Sequence, residues 1–235
     1  MGRAFSLIAL AALASAGSPE VRAARPMVTD DARIVDAKAC QVETWLRRDP
    51  GTTEAWALPA CNPTGNLEIT AGGARTWGGG AAGLTDKVLQ AKTLFKPLDE
   101  GWGVGMAVGT VVHPREAGSG AWPGSPYFYV PLSVKAAGDG WIVHVNAGAT
   151  RDRDARRTIG TWGIGHEIRL DERLFAIAET FATDRARPFY QAGLRYWIAK
   201  DRLQLDATYG DRLEAGSGER WFTVGLRVLG PAFLP

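Results

Sequence analysis

Ionisable side chains recur at every second position in segments that are otherwise apolar. Glu179, Arg195, Asp206 and Arg227 each occupy the polar face of such a segment. A two-residue turn at 200–201 would set Arg195 directly opposite Asp206, and opposite charges on neighbouring strands stabilise a sheet. If these segments are strands, we expect a charge ladder that runs Glu179–Arg195–Asp206–Arg227.

The same polar face continues through the rest of the chain. Its predicted lining residues are Lys92, Lys96, Lys135, His144, Glu167, Glu179, Arg195, Asp206 and Arg227. Such a set is open to three uses. The charges can neutralise one another and fill an enclosed space, they can select a small solute, or they can catalyse a reaction.

Catalysis is the least supported of these uses. His113 precedes a proline in a loop, His144 has no serine in its own segment, and His166 lies on an apolar face without an acid. A G-x-S-x-G motif is missing, and no histidine or cysteine cluster has the spacing of metal ligands. We therefore predict no catalytic set, no metal site and no cofactor, and interpret each histidine as a polar filler or an interfacial residue.

The elements that must position these residues are strands, because polar and apolar residues alternate with a period of two. Most of the segments have the length that a tilted membrane strand needs, about 9–11 residues. The predicted strands are 39–48, 53–62, 66–73, 87–97, 101–112, 126–137, 140–150, 157–169, 173–183, 188–199, 202–211 and 220–229.

The connections between these segments indicate whether the apolar face contacts lipid or a second sheet. Short connections alternate with longer ones rich in glycine or charge, such as 74–86, 113–125 and 212–219. A soluble sandwich has no reason to alternate in this way, whereas membrane barrels have short turns on one side and long loops on the other. The predicted fold is all-β, a closed antiparallel up-and-down transmembrane barrel of about twelve strands over residues 39–235. The net charge of +2 argues against a nucleic-acid partner.

The N-terminus has the pattern of a secretory signal peptide over residues 1–24. Arg3 precedes a short apolar run, and cleavage after Ala16 or after Ala23 fits the small-residue rule equally well. Residues 25–38 then form a short periplasmic arm. Two positions stay open for this arm, which can lie free in the periplasm or fold into the bore as a partial plug.

The only two cysteines, Cys40 and Cys61, flank a hairpin centred on residues 50–51. Pairing about that centre sets the cysteines opposite each other, and likewise Trp45 opposite Trp56. Such a pair lies within disulfide range. An exported chain permits the bond, so we predict a disulfide, with two reduced thiols as the alternative.

Taken together, the export signal, the alternating strands and the asymmetric connections resemble Gram-negative outer-membrane β-barrel proteins. The final segment, Trp221 to Leu229, is similar to the last strand that the barrel-insertion machinery reads, although here Phe233 stands two residues before the end of the chain. The resemblance implies location in the outer membrane, contact with its lipids, and insertion through residues 220–233.

Three functions follow from this resemblance. The first is a passive channel or transporter for small solutes, which needs a continuous water path. The second is a structural or surface-interaction barrel with an occluded lumen, which would act through loops 74–86 and 113–125. The third is a lipid-modifying enzyme with a site on the outer face. We favour the first.

Overall fold

The chain folds into a closed antiparallel β-barrel, seen in a computed structural model that describes residues 27–78, 83–112, 124–153, 156–213 and 218–235. Each strand pairs with the next along the chain, and β1 pairs with β12 to close the barrel. The strands in these ranges are β1 (Cys40–Asp49), β2 (Thr52–Cys61), β3 (Glu68–Gly78), β4 (Gly83–Lys96), β5 (Trp102–Val112), β6 (Ser125–Asp139), β7 (Trp141–Asp152), β8 (Arg157–Arg169), β9 (Leu174–Thr183), β10 (Phe189–Ala199), β11 (Leu203–Arg212) and β12 (Trp221–Leu229). The predicted fold class and strand number are confirmed.

The two faces of the barrel wall have opposite chemistry. Along β12, Phe222, Val224 and Leu226 are exposed on the outside, whereas Trp221 and Thr223 are buried on the inside. Buried polar residues lie inside the barrel on most other strands as well. The apolar side therefore faces outward and the polar side inward, which is the reverse of a water-soluble protein. No helix in the described ranges is both long enough and apolar enough to cross a membrane.

The registers predicted from the hairpins are present. Cys40 pairs with Cys61 and Trp45 with Trp56, and the predicted disulfide is formed across a Cα–Cα distance of 4.0 Å. The backbone of Arg195 likewise lies directly opposite Asp206. Short turns fixed these registers, because side chains alternate with a strict period of two once a turn is set.

The barrel has two different ends. We call one the terminal end, because it carries the short turns and both ends of the described chain, where the Phe233 N–H donates to the Lys38 carbonyl at 2.9 Å. We call the other the loop end, where residues 50–51 join β1 to β2 and residues 184–188 join β9 to β10. Most of the predicted loop 113–125 and residues 214–217 of the predicted loop 212–219 lie outside the described residues. Segment 74–86, predicted to be a loop, is mostly strand, because β3 continues to Gly78 by pairing with Thr52 of β2.

Residues 27–38, called the arm from here on, lie inside the barrel and form no helix or strand. Thr29, Asp30 and Ala32 are almost completely buried there. Of the two positions that the sequence left open, the structure therefore shows the arm in the bore rather than free in the periplasm. The predicted signal peptide and its cleavage site lie outside the described residues.

Candidate functional site

The predicted lining residues divide into a group inside the bore and a group at its terminal end. Lys92, His144, Glu167, Glu179 and Asp206 are buried in the bore. Arg195 and Arg227 are partly buried beside them, with side chains 11% and 21% exposed. Lys96 and Lys135 lie instead near the turns of the terminal end.

Lys96 departs from the expected lining because β4 contains a register shift between Leu94 and Lys96. Its ammonium donates to the carbonyl of Trp102 at 2.8 Å and lies 4.9 Å from the centre of that indole ring. Lys135 forms an ion pair with Asp139 at 2.9 Å. Both lysines therefore make their contacts at the rim of the terminal end and do not line the interior.

Ion pairs hold the side chains of the arm to the wall. Lys92 contacts the carboxylate of Asp30 at 2.7 Å, and both side chains are nearly inaccessible to solvent. The hydroxyl of Tyr129 donates to the same carboxylate at 2.7 Å. Farther along the arm, Arg33 contacts Glu167 at 3.5 Å. Buried charges of this kind persist only when they are paired.

The wall also contacts the main chain of the arm. The carboxylate of Glu179 accepts the N–H groups of Val28 and Thr29, each at 2.6 Å. The hydroxyl of Ser133 accepts the N–H of Ala32 at 2.8 Å.

Three further residues of the barrel complete this pattern. Glu68 accepts the N–H of Val35 at 2.8 Å, and Asn62 donates to the carbonyl of Val35 at 2.8 Å. The amide of Asn146, in the orientation that satisfies both groups, accepts the N–H of Asp30 at 2.6 Å and donates to its carbonyl at 2.9 Å. Five N–H groups of the arm are thus satisfied by side chains of the barrel.

Glycines in β8 provide the space in which the arm lies. A Cβ atom on Gly163 would be 2.4 Å from the hydroxyl oxygen of Thr29, and one on Gly165 would be 2.1 Å from the methyl group of Met27. A side chain at position 163 would displace Thr29, whereas the methyl group opposite Gly165 is the end of a flexible side chain that can move aside. The glycines on this face of β8 therefore make room for the arm. We call the wall surface that contacts the arm its seat.

The predicted charge ladder pairs differently from expectation. Arg195, although it lies opposite Asp206, forms an ion pair with Glu167. Arg227 binds Gln41 at 2.6 and 2.8 Å and lies 3.4 Å from Glu43. Glu179 is occupied by the arm, so the presence of this extra segment redirects the charges around it.

Aromatic side chains line the middle and the loop-end half of the bore. Trp45 and Trp56 are buried and stack at a ring distance of 5.3 Å. Trp221 packs on Phe181 at 6.3 Å and on Phe189 at 5.6 Å. Sequence reasoning missed this cluster, although the position of Trp221 on the polar face of its strand was a usable signal.

The free space in the bore is unequal along its length. A cleft of about 690 Å³ opens at the terminal end between the arm and the turns near Asn66 and Leu98. Two cavities beside Thr29 measure only about 30 and 10 Å³. The smaller is about the size of one water molecule, so the arm constricts the passage at the level of Thr29.

A serine–histidine contact was also missed from the sequence. The Ser133 hydroxyl lies 2.7 Å from Nδ1 of His144, because the two residues are register partners on β6 and β7. Ser133 is completely buried and accepts the N–H of Ala32, so its contacts position the arm. Across the described part of the chain, no three histidine, cysteine or acidic side chains are grouped as metal ligands would be.

Electrostatics within the arm favour the charged form of Asp31. Burial alone would raise the pKa of this carboxyl, but the charges of Arg33 and Lys92 outweigh burial. The pKa of Asp31 therefore lies below its ordinary value. The arm is consequently charged where it meets the charged wall.

A family model described as "Uncharacterised conserved protein UCP029691" matches residues 9–229. A search of curated proteins found no match. Among solved structures, the chain is similar to the KdgM porin, with 10% identity over 80% of this chain and 98% of that one and a TM-score of 0.62. The NanC porin gives 13% identity over 81% and 99%, with a TM-score of 0.59. The COG4313 outer membrane channel from Pseudomonas putida F1 gives 11% identity over 85% and 98%, with a TM-score of 0.56. At these identities the likeness shows the fold alone, which is that of bacterial outer-membrane β-barrels.

Proposed function

This chain belongs to the family described as Uncharacterised conserved protein UCP029691, and we propose that it is an outer-membrane channel for small solutes whose bore is closed by its own arm. In this proposal the arm leaves its seat and a charged passage opens. The similar structures named above include two porins and an outer-membrane channel, which supports passage through a barrel of this type.

The outer surface supports the proposed location. Exposed aliphatic residues cover the strands, and Trp102 and Trp141 are exposed near the terminal end while Tyr209 and Phe222 are exposed near the loop end. Aromatic residues at both margins of an apolar band are typical of outer-membrane barrels. We assign the terminal end to the periplasm because it carries the short turns and the chain ends. Outer-membrane lipids are then the partners of the outer face, and β12 with its tail (220–233) is the segment offered to the insertion machinery.

One observation carries the proposal: the bore is narrowed by the arm, a segment outside the strands, which lies on a wall that is itself charged. Lys92 and Glu179 contact the arm, and Glu167 contacts both Arg33 of the arm and Arg195 of the wall. After departure of the arm these side chains would face an enclosed polar space that water can enter. A wall intended only to be filled needs no charges there, because apolar packing avoids the cost of desolvating charged groups.

The test is single-channel conductance of the full-length chain refolded into planar bilayers. We expect the unmodified protein to be closed most of the time. The double substitution Asp30→Ala with Arg33→Ala removes the ion pairs to Lys92 and Glu167 from the side of the arm and leaves the wall intact. This variant is expected to show sustained conductance.

A matched control comes from the loop end. Arg185→Ala removes an exposed pair with Asp184 whose side chains are 56% and 51% exposed, and it should leave the closed state unchanged. If the arm variant stays closed although it is correctly folded, the proposal of a channel is overturned. The aromatic packing of the loop-end half would then favour the alternative, a structural or surface-interaction barrel with an occluded lumen.

A further inference from the structure

We propose that the seat of the arm is a binding site for peptides, and that short peptides carrying an acidic residue are the solutes of this channel. This inference rests on the proposed function, because the arm must leave before another molecule can enter. It goes beyond that function by naming the chemical class of the solute.

The first argument is that the wall recognises a main chain. Glu179, Asn146, Ser133 and Glu68 together accept the N–H groups of Val28, Thr29, Asp30, Ala32 and Val35. Asn146 and Asn62 donate to arm carbonyls. Amide N–H and carbonyl groups at these intervals are common to every peptide and are lacking in most other small solutes, such as simple sugars.

The second argument is that the seat has few requirements for side chains. Val28 and Thr29 are held by Glu179 through their N–H groups, and Gly163 and Gly165 leave space beside Thr29 and Met27. Hydrogen bonds to main-chain atoms bind without regard to sequence, and pockets for particular side chains supply specificity. A site that relies mostly on hydrogen bonds to main-chain atoms accepts many peptides.

The third argument is that the most deeply buried charged position of the arm, Asp30, is specific for an acidic side chain. The Asp30 carboxylate is held by the Lys92 ammonium at 2.7 Å and by the Tyr129 hydroxyl at 2.7 Å, deep in the bore. Lys92 would be a buried cation without this partner in a vacated seat, although Asp31 lies 3.7 Å from it when the arm is bound. A peptide with Asp at this point restores the pair, which makes an acidic residue the favoured one.

The route into the seat is also present. The cleft of about 690 Å³ at the terminal end borders arm residues 32–37. This space lies beside Ala32 and Val35, whose N–H groups are held by the wall. A peptide can therefore meet the seat from the terminal end once the arm has loosened.

Binding in detergent micelles tests the proposal without any need for conductance. The protein is the full-length variant Asp30→Ala with Arg33→Ala, whose own arm competes weakly while the wall is unchanged. The probe is a fluorescent synthetic peptide of residues 27–38, titrated by anisotropy. Circular dichroism first establishes that the variant retains its β-structure.

Two comparison peptides separate the arguments. A peptide of residues 27–38 with Asp30→Asn should bind about tenfold more weakly, the factor expected for loss of one charge-assisted contact of about 1.4 kcal/mol. An unrelated peptide of the same length with Asp at the same position should bind within about tenfold of the arm peptide. Glu179→Gln in the wall should weaken both Asp-containing peptides to a similar extent.

The opposite results overturn the proposal. No saturable binding, or equal displacement of the probe by an uncharged oligosaccharide of similar mass, would show that the seat does not recognise peptides. Binding of the arm sequence without binding of the unrelated peptide would show a plug seat alone. Because these readouts are independent of ion flow, a barrel that binds peptides but conducts nothing would contradict the channel and leave the peptide site standing.

Discussion

The two halves of the bore are narrowed in different ways. In the loop-end half, the narrowing groups are wall side chains such as Trp45, Trp56 and Trp221, whose backbones belong to the strands. In the terminal half, the narrowing group is the arm, which is covalently continuous with β1 and is otherwise held by noncovalent contacts. One constriction is part of the wall, and the other is a segment held against it.

The interactions that stabilise the two constrictions also differ. Aromatic packing in the loop-end half depends on buried area and shape, so it is lost only when the wall itself changes. The seat of the arm depends on ion pairs and hydrogen bonds with partners on β3, β4, β6, β7, β8 and β9. Such contacts can be exchanged for contacts with water when the arm leaves. Under the proposed function, the arm is therefore the part that moves, and the loop-end half stays fixed.

The largest effect on the open fraction is expected from a larger side chain on the wall that displaces the arm. Gly163→Leu would place atoms where Thr29 now lies, because even a Cβ atom would be 2.4 Å from the Thr29 hydroxyl. Overpacking of this kind costs about 1–3 kcal/mol, and about 1.4 kcal/mol shifts a two-state equilibrium tenfold. We expect the open fraction in planar bilayers to rise by about tenfold or more.

Gly160→Leu is the matched control for that variant. It lies on the same strand, and its Cβ would meet only Asp184 at an ordinary 3.5 Å. This variant should remain closed. Equal opening by both substitutions would mean that leucine on β8 disturbs the barrel in general. It would contradict the claim that displacement of the arm opens the bore.

A second substitution, in the fixed half, is expected to have a smaller effect on conductance although it lowers stability. Trp221→Ala removes the ring that packs on Phe181 and Phe189, and such a truncation in a core costs about 3–5 kcal/mol in the free energy of unfolding. Urea unfolding in detergent measures this loss. Conductance should hardly change, because the arm still closes the other half of the bore.

Phe222→Ala is the neighbouring control. Its side chain is exposed on the outer face, so its loss leaves no cavity in the bore and should cost less. Opening of the bore by Trp221→Ala alone would contradict the comparison, since the aromatic half would then be the functional barrier.

The fold could be predicted because each strand repeats the same physical requirement. The apolar side must alternate with a polar side at every strand, and short turns such as 200–201 fix which residues face each other, as for Arg195 and Asp206. The disulfide followed from the same reasoning, since the centre of the hairpin sets Cys40 against Cys61.

The site could be predicted only in part. The polar faces gave the charges of the wall, but the arm has no periodicity, and the contact between Thr29 and Glu179 joins residues 150 positions apart. Local patterns carry no information about such a contact. The place of Lys96 depends on a register shift in β4 that alternation alone does not reveal.

The smallest expected effect lies at the rim, where Lys135 was expected to line the bore. Its pair with Asp139 is open to solvent, with side chains 21% and 60% exposed, and such pairs contribute little to stability. Lys135→Ala should therefore leave both the midpoint of urea unfolding and the open fraction nearly unchanged. Lys92→Met is the informative counterpart, because it leaves Asp30 buried without its cation and should open the bore. A large gain of conductance from Lys135→Ala would place the barrier at the terminal rim instead of at the arm, and the division of the bore into a fixed and a movable half would have to be redrawn.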